Sequence, residues 1–260
     1  VETLTHSMGL DRPLLVQYLE WMKGLVTGNF GISLSSQQDI TPLVLDRAQV
    51  TLLLIGLAIA LALAGAIPMG ILLARFRLPV LNAATQLGIA VPSFLVGILL
   101  VAVFSVHLGW LPANGWQLPR EGLSHLVLPV ISLALVQGAM LTRYVRAALM
   151  EEMGKDYIRT ARSLGESRTG ALIRHGLRNA ALPVLTVTGV QLSTLVVGAV
   201  VIENVFVIPG LGSMLLDAVS TRDLITVQTL IMVFVTFTLT VNLLTDLAYR
   251  VIDPRLKEAR

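Results

Sequence analysis

Five stretches of this chain are too long and too free of charge to be at home in water. They cover approximately 49–74, 84–106, 126–145, 181–203 and 224–248, and Asp, Glu, Lys and Arg are confined to their ends. A helix needs roughly 20 apolar residues to cross about 30 Å of hydrocarbon. Lipid offers no hydrogen-bond partner to a backbone amide, so each stretch is expected to be helical. The predicted class is an all-α, polytopic membrane protein with five transmembrane helices. Pro68, Pro92 and Pro129 fall within or at the edges of these runs and predict kinks. Composition agrees: 55% of residues are hydrophobic and 13% charged, against about 25% charged in a soluble domain.

The gaps between the runs set the topology. Arg12, Lys23, Arg47, Arg120 and Arg222 are the basic residues of one set of gaps; the other 14 of the 19 Lys and Arg lie in the opposite set. Positive charge marks the cytoplasmic side. The C-terminus is therefore expected in the cytoplasm and residue 1 outside. This placement also accounts for the net charge of +3 without nucleic acid as a partner. The absence of cysteine excludes disulfides and thiolate metal ligands.

Residues 1–48 form an expected extracytoplasmic segment, with amphipathic helix in "PLLVQYLEWMKGL" and a glycine-marked turn in "TGNFGISL". Residues 49–260 form the membrane domain. Its 107–124 stretch reads as an external loop with interfacial Trp110 and Trp116.

One segment breaks the apolar pattern. The loop at about 147–180 carries Lys155, Arg159, Arg162, Arg168, Arg174 and Arg178 between positions 155 and 178. At roughly 3 kcal/mol each, submerging them would cost about 18 kcal/mol, so the segment stays out of the hydrocarbon core. It is nonetheless patterned. Tyr157, Ile158, Ala161 and Leu164 recur at helical spacing, as do Leu172, Ile173 and Leu177. Gly165 interrupts the first set, and Ser167 is placed to cap a helix starting near Arg168. Two short amphipathic helices joined by a glycine turn follow, with Asn179 and Pro183 marking entry into the next span. A solvated, topology-setting loop is one reading; a docking site for a soluble partner through a helix-in-groove contact is the other.

At this point the sequence resembles a family. "YIRTARSLG…RHGLRNAALP" is similar to the cytoplasmic EAA loop of ABC importer permeases, more narrowly those of the peptide/nickel branch. The family's glutamate position is Arg159 here and its glycine is Gly165. "MGLDRPLLVQYLEW", "VPSFLVG", "IENVFVIPGLGSMLLDAVSTRD" and "DPRLK" extend the resemblance over nearly the whole chain. It implies a type I ABC importer permease fold. The family carries six helices, so the expectation is that an N-terminal helix is missing from this chain.

The resemblance further implies a translocation subunit without enzymatic activity, in the bacterial cytoplasmic (inner) membrane. It would pair with a second homologous permease, two cytoplasmic ATPase subunits and an extracytoplasmic substrate-binding protein. Di- or oligopeptides are the expected cargo, with nickel complexes, opines or glutathione as alternatives. An ion-coupled carrier is the rival class. No GxxxxGK[ST] phosphate loop is present, so ATP and magnesium are expected on the partner ATPases and no cofactor on this chain. No metal site is expected either; His175 has no second ligand at zinc-like spacing.

Candidate residues follow. Tyr157, Ala161, Leu164 and Gly165 are expected at the ATPase contact. Arg159, Arg162, Arg174 and Arg178 either pair with ATPase acids or only set topology. Gln137, Gln191 and Asn242 are the polar groups inside spans, read as interhelical hydrogen bonders or pathway contacts. Pro92, Ser93 and Phe94 either line the pathway or form a packed kink. Glu203 and Asn204 either form a gate or cap a helix end. Asp217, Arg222 and Asp223 are candidates for touching the delivery protein.

Overall fold

The computed structural model describes residues 12–76, 78–116 and 122–252. Arg77, Arg120, residues 1–11 and the terminal 253–260 with its "DPRLK" lie outside the described residues. The helices are α1 (Leu14–Thr27), α2 (Thr41–Arg75) and α3 (Pro79–Ala90). Next come α4 (Ser93–His107), α5 (Gly122–Met153), α6 (Asp156–Ser163) and α7 (Arg168–Val205). The last are α8 (Leu211–Ser220) and α9 (Leu224–Ile252). Among the described residues the extended pairing is confined to one bridge, Ile32 to Asp39.

Four helices, α2, α5, α7 and α9, are each long and apolar enough to cross a bilayer. The stretch expected as a single span over 84–106 is instead two helices, α3 and α4, bent by 103°. Counted as one broken span, the pair brings the candidate spans among the described residues to five. The cause is local. Val91 precedes Pro92, and the proline ring drives it out of the helical region to φ −90°, ψ 122°. Pro92 itself is extended, with ψ 141°. Two consecutive extended residues turn the chain where a kink was expected. Pro68 and Pro129, by contrast, lie inside continuous helices.

Two boundaries also differ from the sequence reading. Helix α2 starts at Thr41, not near 49, because Pro42 sits in its first turn, where no backbone donor is needed. The second loop helix is not separate from the next span. It runs from Arg168 to Val205 without a break, through a π-helical stretch at Leu172–Gly176. Asn179 and Pro183 lie within it. Helix interiors near a membrane tolerate proline when the freed carbonyl finds another partner.

Helices α2 and α5 form the tightest pair. Leu54, Ala58, Ala62, Ala66 and Gly70 recur every four residues along α2, and all are buried. Small residues at that spacing let membrane helices approach closely. At Gly70 an added Cβ would lie 2.7 Å from Val145 Cβ on α5. The buried apolar side chains gather in three groups along the bundle. The central group joins α2, α5 and α7 around Leu54, Leu133 and Leu195. A second joins Ile40, Val44, Met214 and Leu230 at the end carrying α8. A third joins Val145, Leu149, Leu172 and Ala180 at the end carrying α6. Helix α9 buries little of itself, and Leu239, Leu243, Leu244 and Val251 face outward.

Asp223, just before α9, ties the N-terminal segment to the bundle. It is buried and accepts hydrogen bonds from Ser33, the Leu34 amide at 3.1 Å and Thr226 Oγ1 at 2.9 Å.

Candidate functional site

The basic loop is the site that the sequence marks most strongly. Helix α6 begins at Asp156, separated from α5 by the two-residue turn Gly154 and Lys155. Lys155 caps it in extended conformation, and Asp156 places an acid in the first turn, where the helix dipole favours negative charge. The helix ends at Leu164 and Gly165. Gly165 has φ +96°, a left-handed conformation that glycine adopts without a Cβ penalty. Ser167 then caps α7: its hydroxyl accepts the Gly170 amide at 3.0 Å.

The apolar positions of α6 do not form one face. Ile158 is buried, with 1% of its surface exposed, whereas Leu164 is 83% exposed. Helix α6 packs on the first turns of α7. Its other side remains open. Tyr157, Arg159, Arg162, Gly165, Arg174 and Arg178 are exposed, and Ala161 is half-buried. Arg159 pairs with Asp156 at 3.1 Å and Arg174 with Glu166 at 3.4 Å. Both arginines are largely solvated, and such surface pairs contribute about 0–1 kcal/mol. His175 lies 3.4 Å from Glu166. No cluster of metal-ligating side chains occurs among the described residues.

Glu152, absent from the sequence expectations, anchors the near end of the loop. It is 7% exposed in the last turn of α5. One oxygen accepts Lys155 Nζ and the other accepts the Tyr157 hydroxyl. The Glu152 hydrogen bond, with the charge beside it, raises the Lys155 ammonium pKa above its usual value. Burial, and then Glu152, raise the Tyr157 phenol pKa, so its hydroxyl remains a donor. Asn179, from α7, also reaches the phenol.

The pathway candidates do not converge on one place. Pro92, Ser93 and Phe94 sit at the α3–α4 break, with Phe94 37% exposed. Gln137 is half-buried in the middle of α5. Gln191 is buried on α7, where its amide contacts Met140 Sδ of α5 and its carbonyl accepts Thr194 Oγ1 at 3.3 Å. Asn242, from α9, accepts Ser193 Oγ at 3.4 Å. Asn204 is exposed. Glu203 is fully buried and bonds to Thr51 Oγ1 at 2.6 Å and to the Gly212 and Ser213 amides of α8.

A cavity of about 780 Å³ opens between α2, α3, α4 and α5, bounded by Leu61, Gly65, Ala84, Gly88, Leu99 and Leu135. Its two hydroxyls are already engaged. Thr85 donates to the Asn82 carbonyl at 2.9 Å and Thr142 to that of Gly138 at 2.6 Å.

The comparisons with known proteins agree with this architecture. A family model described as "Binding-protein-dependent transport system inner membrane component" matches residues 66–258. The oligopeptide transport system permease protein AppB of Bacillus subtilis is 35% identical over 98% of this chain and 84% of its own length. The glutathione transport system permease protein GsiC of Escherichia coli K12 is 36% identical over 99% and 84%. A Brucella suis protein with a provisional peptide-permease name is 40% identical over 99% and 84%.

Two solved structures share the fold at low identity. One is an amino acid ABC transporter crystallised with histidines, with a TM-score of 0.63 and 19% identity over 81% of this chain and 94% of that one. The other is the MetNI methionine ABC transporter in inward-facing form, with a TM-score of 0.69 and 16% identity over 82% and 98%. The fold is that of type I ABC importer permeases. The chain belongs to the family of binding-protein-dependent transport system inner membrane components and is a membrane-spanning permease of a binding-protein-dependent ABC importer.

Proposed function

We propose that this permease forms one half of a pathway that carries di- or oligopeptides inward, and that its basic loop is the seat of a separate ATPase. The observation that carries this reading is Leu164. A leucine 83% exposed at the end of a short helix, between Arg162 and Gly165, is poorly explained by the chain's own packing. It suits a partner with an apolar cleft rimmed by acids, which is the helix-in-groove mode of recognition.

On this reading two ATPase subunits bind ATP and magnesium and grip one loop each, and this chain holds no cofactor or metal. A second, related permease supplies the other half of the pathway. An extracytoplasmic protein delivers the cargo at the end carrying α8. The basic end, with the C-terminus, faces the cytoplasm, as the distribution of Lys and Arg favours. Peptides are favoured as cargo because relatives at 35% and 36% identity are named for oligopeptide and glutathione transport.

The test is uptake of a labelled tripeptide by proteoliposomes containing the assembled transporter. Uptake should require ATP, the ATPase subunits and the binding protein together. Uptake that follows an ion gradient without the ATPases would overturn the proposal.

A further inference from the structure

Glu152 sits where folding alone gives little reason for it. The last turn of α5 holds Glu151 and Glu152 and no basic residue, although a helix C-terminus disfavours negative charge. Glu152 is also 7% exposed, and a carboxylate withdrawn from water is tolerated only with partners. Both of its partners belong to the start of α6: Lys155 at the cap and Tyr157 in the first turn. Tyr157 also touches Asn179 of α7. Ile158, the next residue, is a buried peg. At the opposite end the ties to α7 lie beyond the glycine turn, where Glu166 is 3.4 Å from both Arg174 and His175, and not on α6 itself. Leu164 is open to solvent, and a Cβ at Gly165 would meet nothing within 4 Å. The side-chain ties of α6 itself are therefore gathered at its first turn.

We propose that Glu152 is a positioning residue that locks the first turn of α6 to the end of α5, so that movement of α6 is passed to the membrane helices instead of being absorbed in the Gly154–Lys155 turn. The inference rests on the reading of α6 as the ATPase seat. Charge-assisted hydrogen bonds are the strong ones, and two on one carboxylate fix direction as well as distance. A strut of this kind sets transmission, not ATPase affinity, because Leu164 and its neighbouring arginines stay in place when Glu152 is changed.

The test uses the assembled transporter carrying Glu152→Gln, Lys155→Met or both, Lys155 being the Glu152 partner that lies outside the expected ATPase contact. Tripeptide transported per ATP hydrolysed should fall about tenfold in Glu152→Gln, the loss expected for charged hydrogen bonds. The double variant should be no worse than Glu152→Gln, since both changes cut one linkage. The ATPases should still copurify in wild-type amount. An unchanged transport-to-ATP ratio, or losses that multiply in the double variant, would overturn the proposal.

A second measurement covers a variant that assembles poorly. The chain has no cysteine, so spin labels can be placed on it through Met150→Cys on α5 and Ser163→Cys on α6 in the assembled transporter. Glu152→Gln should broaden the distance distribution between them; an unchanged distribution would contradict the strut. Failure of the docking reading is distinct: the wild-type permease would then not retain ATPase subunits at all, whatever residue 152 is.

Discussion

Glu203 Oε2 accepts the Gly212 amide at 2.7 Å, so a carboxylate in the last turn of α7 closes the N-terminus of α8. The Ser213 amide joins it at 3.2 Å. Thr51 of α2 completes the arrangement: its hydroxyl donates to Glu203 Oε1 at 2.6 Å and accepts the Leu211 amide at 2.9 Å. The first three amides of α8 are thus satisfied by two side chains from two membrane helices. These are the donors that a helix leaves without intrahelical partners, and a carboxylate there is favoured by the dipole. The same geometry keeps α8 close, because a Cβ at Gly212 would strike Val200 Cα.

Removing that carboxylate strands three donors: the buried Thr51 hydroxyl and Gly212 amide and the half-buried Ser213 amide. Glu203→Ala should destabilise the permease by about 3 kcal/mol, read as a lower unfolding temperature in detergent. Thr51→Val should cost less, and the pair should be non-additive because they share one network. Additive losses would show that the two side chains act independently.

Asp223 gives a prediction in pH. Burial alone would raise its carboxyl pKa, but the bonds from Ser33, Leu34 and Thr226 together outweigh burial and hold it at about 2. An unfolded aspartate titrates near 3.9. A pKa lowered on folding contributes stability that is complete above the unfolded value and is lost as pH falls through the folded one. Asp223→Asn should therefore expose the 31–40 segment to protease at neutral pH. The difference from wild type should shrink as pH falls from about 4 towards about 2.

Gly70 tests the α2–α5 contact. Gly70→Ala should cost about 1–3 kcal/mol by overpacking, since the new methyl meets Val145 at its Cβ, close to the helix backbone. Val145→Ala should recover part of that loss when combined with it, a coupling visible in a double-mutant cycle of unfolding temperatures.

Gly165 separates insertion from coupling. Gly165→Trp places a large side chain at φ +96° beside Leu164, in a turn outside the spans. The helices should insert normally while ATP hydrolysis no longer drives uptake, as measured by parallel phosphate release and tripeptide accumulation. Wild-type coupling in that variant would count against a role for the turn.

Much of this architecture is legible in the sequence, for physical reasons. Helices α2, α5, α7 and α9 announce themselves because about 20 uncharged residues in a row have few alternatives to crossing lipid. The α6 turn is legible because Gly165 and Ser167 each have a specific backbone task. The break at Pro92 was visible as a proline, but a proline signals interruption without fixing its angle; Val91 and Pro92 together make it 103°. The continuity of α7 was hidden because Asn179 and Pro183 look like boundary residues, yet the π-helical stretch before them carries the helix through.

Long-range partners were not legible. Nothing in the local pattern around Glu203 points to Thr51, 152 positions away. Glu152 stayed hidden for a different reason. It reads as one more charge at a membrane edge, and its role appears only when Lys155 and Tyr157 fold back onto it.

The central claim is that the loop around Leu164 and Gly165 seats an ATPase. Because the chain has no cysteine, Leu164→Cys gives a single reactive position on it, to which a short photo-crosslinker is attached before the transporter is assembled. The account predicts a crosslinked band containing this permease and an ATPase subunit, in a yield that changes between nucleotide-free and ATP-bound states. Crosslinks to lipid or water-quenched label alone, with ATPase present and active, would contradict it.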